Sequence, residues 1–194
     1  DTQASYIAGI EAAAGGQVDV KKGLLLNDNS DIYWSLYSRG ANSQIGVNTT
    51  ATGTVQVEGD IGAINGGAID MTMNNQNSYL TAASYTSTSG STSRGMVNLD
   101  ISNQAVWNMT GNSSVTSLSL ASQGRVNILS PDNNGSFKTL TVHGDYTGGG
   151  SLTINTALGG DDSETDKMMV EGNTSGITDL YVNNYNGTGG QTTN

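Results

Sequence analysis

Few residues in this chain can do acid–base, nucleophilic or metal chemistry, and their spacing decides what each is for. His143 is the single histidine. A Ser-His-Asp unit would have to use it, with Asp145 or Asp166 orienting the ring, but no Gly-x-Ser-x-Gly or Gly-Asp-Ser-Gly accompanies it. His143 follows the alternating stretch Leu140-Thr141-Val142 and reads as an outward turn residue. With one histidine and no cysteine, most transition-metal sites, every thiolate site and any disulfide framework are excluded. The run Asp161, Asp162, Glu164, Asp166 offers oxygen ligands suited to calcium. A calcium loop beginning at Asp161 requires Gly at 166 and Glu at 172, where the chain has Asp166 and Gly172. A solvated loop is expected there. Asn27-Asp28-Asn29-Ser30-Asp31 has similar ligand types and equally poor spacing. Glycoside cleavage needs two carboxyl groups roughly 5–10 Å apart. Asp70 and Asp100 stand at outward positions of neighbouring coils and are expected to stack as a solubilising face. Tyr33 and Tyr37 alternate with Trp34, so the tyrosines are expected outward and the tryptophan inward. Exposed aromatics stack on sugars or anchor partners; covering a neighbouring coil is the expectation here. The sequons at Asn48 and Asn112 follow from an Asn-rich composition. No catalytic, cofactor-binding or metal-binding residues are expected, and no cofactor.

The elements that carry these residues are strands. Alternation of apolar and polar residues recurs at Val18-Asp19-Val20, Val55-Gln56-Val57, Ile69–Met73, Val97–Ile101, Leu118-Ser119-Leu120, Val126-Asn127-Ile128, Leu140-Thr141-Val142, Leu152-Thr153-Ile154 and Leu180-Tyr181-Val182. Successive strand residues point to opposite faces, so each segment buries one side and wets the other. Asn65-Gly66-Gly67, Asn134-Gly135, Gly148-Gly149-Gly150 and Asn186-Gly187 supply turn chemistry between them. Ile7–Ala14 is the one stretch with a helical cast. It is short and holds Gly9, and reads as loop or strand.

Composition agrees with strands of an unusual kind. Gly, Ser, Thr and Asn make up nearly half of the 194 residues, while Leu, Ile, Val and Phe together supply about a fifth. The formal net charge is -10. Alone, such numbers border on the disordered class. They exclude a helical bundle, and seven scattered Lys+Arg exclude a nucleic-acid binder. No apolar run approaches the roughly 20 residues of a membrane-spanning helix. The chain begins without Met or a signal peptide and reads as an excised or mature fragment.

Spacing reconciles scarce apolar residues with ordered strands. Leu99 to Leu120, Leu120 to Val142, Ile128 to Ile154, Leu152 to Leu180 and Ile69 to Val97 mark a period of about 20–28 residues holding two or three short strands, as a solenoid coil does. The expectation is an all-β, right-handed, single-stranded parallel β-helix (a β-solenoid). Its narrow interior needs few aliphatics per coil, Asn, Ser and Thr face outward, and Gly marks the corners. About 22 residues per coil predicts eight or nine coils and a rod on the order of 40 Å. A β-sandwich is the rival all-β arrangement.

From Val106 onward the text is more specific. Trp107-Asn108-Met109-Thr110-Gly111, Ser113–Leu120, Phe137–Val142, Gly144–Gly148, Leu152–Thr156, Gly159–Ser163, Asp166-Lys167, Gly172–Gly176 and Leu180–Val182 follow one another in an order that resembles the C-terminal passenger region of pertactin-like, AIDA-type bacterial autotransporters. The resemblance covers about 100–194. Met168-Met169 departs from the family's Leu or Ile beside Val, and the tail at 185–190 stops where a linker should begin.

The resemblance implies a passenger exported through a downstream outer-membrane β-barrel to the bacterial cell surface, or released from it. It divides the chain into body coils at 1–99 and an autochaperone region, with a C-terminal cap, at 100–194. That region would fold first and template its own upstream coils. Trp107, Leu118, Leu120, Phe137, Leu140, Val142, Tyr146, Leu152, Ile154, Leu180 and Val182 are the expected folding core. The whole protein would be non-enzymatic and serve adhesion or virulence through a host-surface or host-protein ligand. Recruitment of a host cytoskeletal protein and carbohydrate cleavage are the alternatives.

Overall fold

The computed structural model describes residues 8–27, 33–88, 93–121, 123–131 and 136–191. Asp28–Asp31, Asn134-Gly135 and Ile7, singled out above, lie outside them. Among the described residues there are twenty-one strands and no helix, and every pairing between strands is parallel.

Three strands make one coil, and coils stack into sheets that form the faces of a prism. The first face holds β1 (Ala8–Ala13), β4 (Trp34–Arg39), β7 (Ile61–Ile64) and β10 (Ser84–Ser87). The second runs through β2 (Gln17–Val20), β5 (Gln44–Val47), β8 (Ala68–Met73), β11 (Met96–Ile101), β14 (Ser117–Leu120), β17 (Tyr146–Thr147) and β20 (Thr174–Ser175). The third runs through β3 (Leu24–Leu26), β6 (Val55–Glu58), β9 (Tyr79–Ala82), β12 (Val106–Met109), β15 (Arg125–Ile128), β18 (Ser151–Thr156) and β21 (Asp179–Asn184). A fourth sheet, β13 (Ser113–Val115), β16 (Thr139–Val142) and β19 (Lys167–Val170), takes over from the first along the rod.

The chain is therefore an all-β parallel solenoid of about six turns. That is fewer than the eight or nine coils expected. Turns lengthen most coils: Leu99 meets Leu118 after 19 residues, but Leu118 meets Tyr146 only after 28. At the strand-pairing distance the rod rises roughly 30 Å. Ile69–Val97 and Leu152–Leu180 are partners as the spacing suggests, whereas Val142 pairs with Val115 on another face and not with Leu120.

Stacking in register lines up side chains in columns. Val20, Val47, Met71, Leu99, Leu118 and Tyr146 form one interior column; Leu80, Trp107, Val126 and Leu152 form another. Each of these from the second coil to the sixth is buried. A thin but continuous core results, since every coil buries its few aliphatics against the coils above and below. Outside, polar columns bond to themselves. Gln44 and Asn98 amides donate to the two oxygens of Asp70 (2.9 and 2.7 Å), and Ser117 Oγ donates to Asn98 Oδ1 (2.8 Å).

One seam interrupts the backbone ladder. Between β10 and β13, side chains replace strand pairing: Ser84 N donates to Ser113 Oγ (3.2 Å), Thr86 N to Ser114 Oγ (2.8 Å) and Ser84 Oγ to the Ser114 carbonyl (3.0 Å). Here the first sheet ends and the fourth begins.

Candidate functional site

Downstream of Trp107 most of the expected folding-core residues occupy one interior. Trp107, Leu118, Leu120, Leu140, Val142, Tyr146 and Leu152 are buried, and Ile154 packs half-buried against them with Met168 and Val170. Trp107 is fully enclosed, and its indole N–H donates to the Ala82 carbonyl of the preceding coil (3.1 Å). That bond removes the cost of burying an indole donor. Tyr146 lies under Thr178, hydroxyl to hydroxyl at 2.5 Å. Burial holds its phenol above the usual tyrosine range, an effect the Thr178 bond opposes.

Three expected core residues lie elsewhere. Phe137 stands at the margin of the core, edge-on to Tyr185 (6.0 Å, 90°). Leu180 and Val182 are more than half exposed, at 58% and 52%. They are in register with Leu152 and Ile154, but β21 ends the third sheet and no described strand covers its outer edge. Alternation assigned their side correctly; burial needs a further coil as well.

The strongest polar feature of these coils is a buried carboxylate. Asp166 is only 2% exposed, against the expectation of a solvated loop over 161–166. Its Oδ1 accepts from Lys138 N (2.7 Å), and its Oδ2 from Asn155 N and Asn155 Nδ2 (2.7 Å each). The same Asn155 amide donates to the Ile128 carbonyl one coil earlier (2.9 Å). One acid–amide pair thus ties β15, the β16 entry and β18 to the entry of β19. Nearby, the buried Lys138 donates through Nζ to the carbonyls of Leu129 and Ser130 (2.8 and 2.9 Å). Strict alternation from Leu152 sends Asn155 outward, yet it is buried: the phase of β18 shifts by one residue to aim the amide inward. Sequence reasoning missed this clamp. The available signal was a polar pair, Asp166-Lys167, inside the recognised motif order.

His143 takes part in a second staple. Arg94 Nη1 donates to its Nε2 (3.0 Å), which leaves the proton on Nδ1 to be donated to Glu171 Oε2 (2.8 Å). No serine sits at either nitrogen, both being taken. Asp145 is spent on Asn173, accepting from its backbone and side-chain N–H (2.9 and 3.1 Å). Close approach fixes the corners: Gly176 has φ +79°, and a Cβ there would sit 2.1 Å from the Gly148 carbonyl oxygen.

The remaining candidates separate. Asp70 and Asp100 do not face each other: Asp70 is opposite Asn98, and Asp100 opposite Thr72 and Ser119. The register offsets them by two residues, and Asp70 accepts from two amides. Among the described residues no group of three His, Cys, Asp or Glu is placed to hold a metal ion. Asn48, of the first sequon, is fully buried, its amide bonded to the Thr72 carbonyl (2.9 Å). Trp34 is not inward as expected. Its ring lies on the outer surface over Gly62, stacked on Tyr37 (5.3 Å, 11°).

Stacked parallel coils with an aliphatic interior, a polar skin and side-chain staples across the last turns define a parallel β-solenoid. Comparison with known proteins places this one more narrowly. Residues 113–194 match the family Autochaperone Domain Type 1. The match opens on the first residue of β13, at the seam. The chain is 30% identical over 187 residues to a probable autotransporter, YfaL, of Escherichia coli strain K12, an alignment covering 89% of this chain and 14% of that protein. It is 44% identical over 64 residues to the autotransporter adhesin AIDA-I of Escherichia coli (32% of this chain, 5% of that protein) and 46% over 57 residues to the BmaC adhesin autotransporter of Brucella suis biovar 1 (29% and 2%). The chain spans a small part of the length of these relatives. The chain is thus similar to autotransporter passengers and carries an autochaperone region at 113–194, which locates it at the bacterial cell surface and outer membrane.

Proposed function

We infer that the coils from β13 onward are the template on which the upstream passenger coils fold, and that this folding drives passage of the passenger through a downstream outer-membrane β-barrel. The observation that carries the reading is the Asp166–Asn155–Lys138 clamp. A solenoid coil is costly to order alone, because its contacts are made with neighbours that do not yet exist. Buried charge-assisted bonds across coils β15 to β19 supply stabilisation that does not depend on the coils upstream. The boundary we assign is the seam, a reading supported by β13 meeting β10 through hydroxyls and not through a full backbone ladder. The expected division at residue 100 falls inside β11 (Met96–Ile101) and places β12 with the template as well. The passenger itself acts without catalysis and serves adhesion, as the names of two of the relatives suggest for those proteins.

Secretion tests this directly. In the full-length protein, deletion of 113–194 is expected to abolish surface display while the barrel still inserts. Leu140→Asp in the template is expected to reduce display and slow refolding of the purified chain more than Val55→Asp in the body. Equal effects at the two positions would remove the template role.

A further inference from the structure

We propose that the outer face of the early coils carries a binding platform for an uncharged oligosaccharide, built from Tyr33, Trp34, Tyr37 and Tyr85. The outward column of the first face reads Glu11, Tyr37, Gly62, Tyr85. Glycine leaves a gap in this column, and the Trp34 ring fills it. A Cβ on Gly62 would meet Trp34 Cζ3 at 2.7 Å, so the ring can lie flat on the sheet only over glycine. It stacks on Tyr37 and takes Tyr33 and Tyr85 edge-on, with centroids 5.3 and 5.4 Å away. Four rings thus run across three coils: Tyr37 is 7% exposed and supports the half-buried Trp34, while Tyr33 and Tyr85, at 63% and 40%, are the rings open to a ligand.

The chemistry of the surroundings selects the ligand. Aromatic faces are electron-rich and attract the slightly positive C–H faces of pyranose rings, while phenol hydroxyls bond to sugar hydroxyls. Burial and the neighbouring Asp60 hold the Tyr85 phenol above its usual range, so it stays a donor as well as an acceptor. The large aliphatic side chains that are exposed among the described residues, such as Leu25, Met96 and Ile177, lie on other faces or in turns. That composition suits sugar stacking better than an apolar protein anchor. A net charge of -10, with Glu11 and Asp60 bordering the rings, disfavours acidic glycans. Cleavage is not part of the proposal: Glu11 is bound to Arg39 (2.6 Å), and Asp60 accepts from Ala83 N (2.8 Å).

The test uses the whole chain and tryptophan fluorescence. Trp107 is buried in the core and serves as a constant internal signal, so ligand-dependent change reports Trp34. Cellohexaose, xylohexaose, mannohexaose, laminarihexaose, maltohexaose and chitohexaose are titrated alongside polygalacturonate. Saturable change with at least one uncharged hexasaccharide and none with polygalacturonate is expected. Tyr85→Ala and Tyr33→Ala, both at exposed rings, should each weaken binding about tenfold, one ring's share of stacking. Gly62→Ala, which lifts the Trp34 ring, should weaken it further while circular dichroism stays that of a β-solenoid. No response to any of the six sugars overturns the proposal, as does binding unchanged in all three variants. Self-association that depends on Tyr33 and Tyr85, measured by sedimentation, would assign the rings to a protein contact and overturn it too. The platform lies outside 113–194, so loss of sugar binding and loss of secretion are separable results.

Discussion

The early coils keep their distinctive chemistry on the outside, and the late coils keep theirs on the inside. On the first face, Trp34 lies over Gly62 at the surface, and Glu11 and Arg39 meet in solvent. In the last coils a carboxylate, an amide and an ammonium are withdrawn from water and bonded to backbone across turns. Both ends share the same parallel coil and the same thin aliphatic column. The rings on the outer face leave Tyr33 and Tyr85 exposed to solvent. Buried bonds add cohesion at particular turns and leave little free for chemistry. The proposed division of labour, a binding body and a folding end, rests on where each group spends its polar atoms.

The comparison breaks most sharply at Trp107. Trp107→Ala removes the largest fully buried side chain among the described residues and is expected to cost about 4 kcal/mol, against about 2 kcal/mol for Val55→Ala in the body. Urea unfolding of the two variants measures both. The kinetics sharpen it: the tryptophan variant should refold more slowly, and the valine variant should mainly unfold faster. Reversed kinetics would place the nucleus in the body. Next in size is Asp166→Ala, which orphans three N–H donors in a buried site and is expected to cost about 3 kcal/mol. Asp70→Ala is its counterpart on the outer surface, where water can replace the lost acceptor of two side-chain amides, and should cost under about 1 kcal/mol. Similar losses at the two aspartates would show that the buried clamp gains nothing from its burial.

Much of this was legible from alternation. Leu118, Leu120, Leu140, Val142 and Leu152 fall inside because each belongs to a run of period two, and period is a local property. What failed was non-local. Coil number was overestimated because turn lengths vary with no effect on the strands they join. Spacing alone sets Asp70 and Asp100 on neighbouring coils, but the register between β8 and β11 pairs Asp70 with Asn98. Leu180 and Val182 show the correct period, but their exposure depends on what lies beyond β21. Parity alone sends Trp34 inward. Its ring instead folds back over a glycine one coil away, a contact only stacking reveals. Asp166 hid among acids that do face solvent, since a single sequence does not distinguish a carboxylate that caps backbone donors from one that solubilises a loop.

A smaller effect is expected at the seam. Ser114→Ala removes the hydroxyl that receives Thr86 N and Thr86 Oγ1 (2.8 and 2.9 Å). It should cost about 1 kcal/mol, the net worth of such bonds where water can partly substitute. Hydrogen exchange at Thr86 should accelerate, while the Leu118 amide, bonded to the Asp145 carbonyl, keeps its protection. Equal acceleration at both would mean that the coils on either side of the seam open as one unit.

The smallest effect should be at the shorter of the two ion pairs among the described residues. Arg39 Nε donates to Glu11 Oε1 at 2.6 Å, and this bond with its accompanying charge raises the guanidinium further above its usual range. Both side chains are exposed, at 54% and 37%, so solvent screens the attraction and ordering two long side chains offsets most of it. Glu11→Gln is expected to change stability by under about 0.5 kcal/mol. That difference should shrink further between low and high salt, as it must for charges in water. A loss comparable to that of Asp166→Ala, unaffected by salt, would mean that surface pairs hold the early coils as firmly as the buried clamp holds the late ones, and the contrast between the two ends would fail.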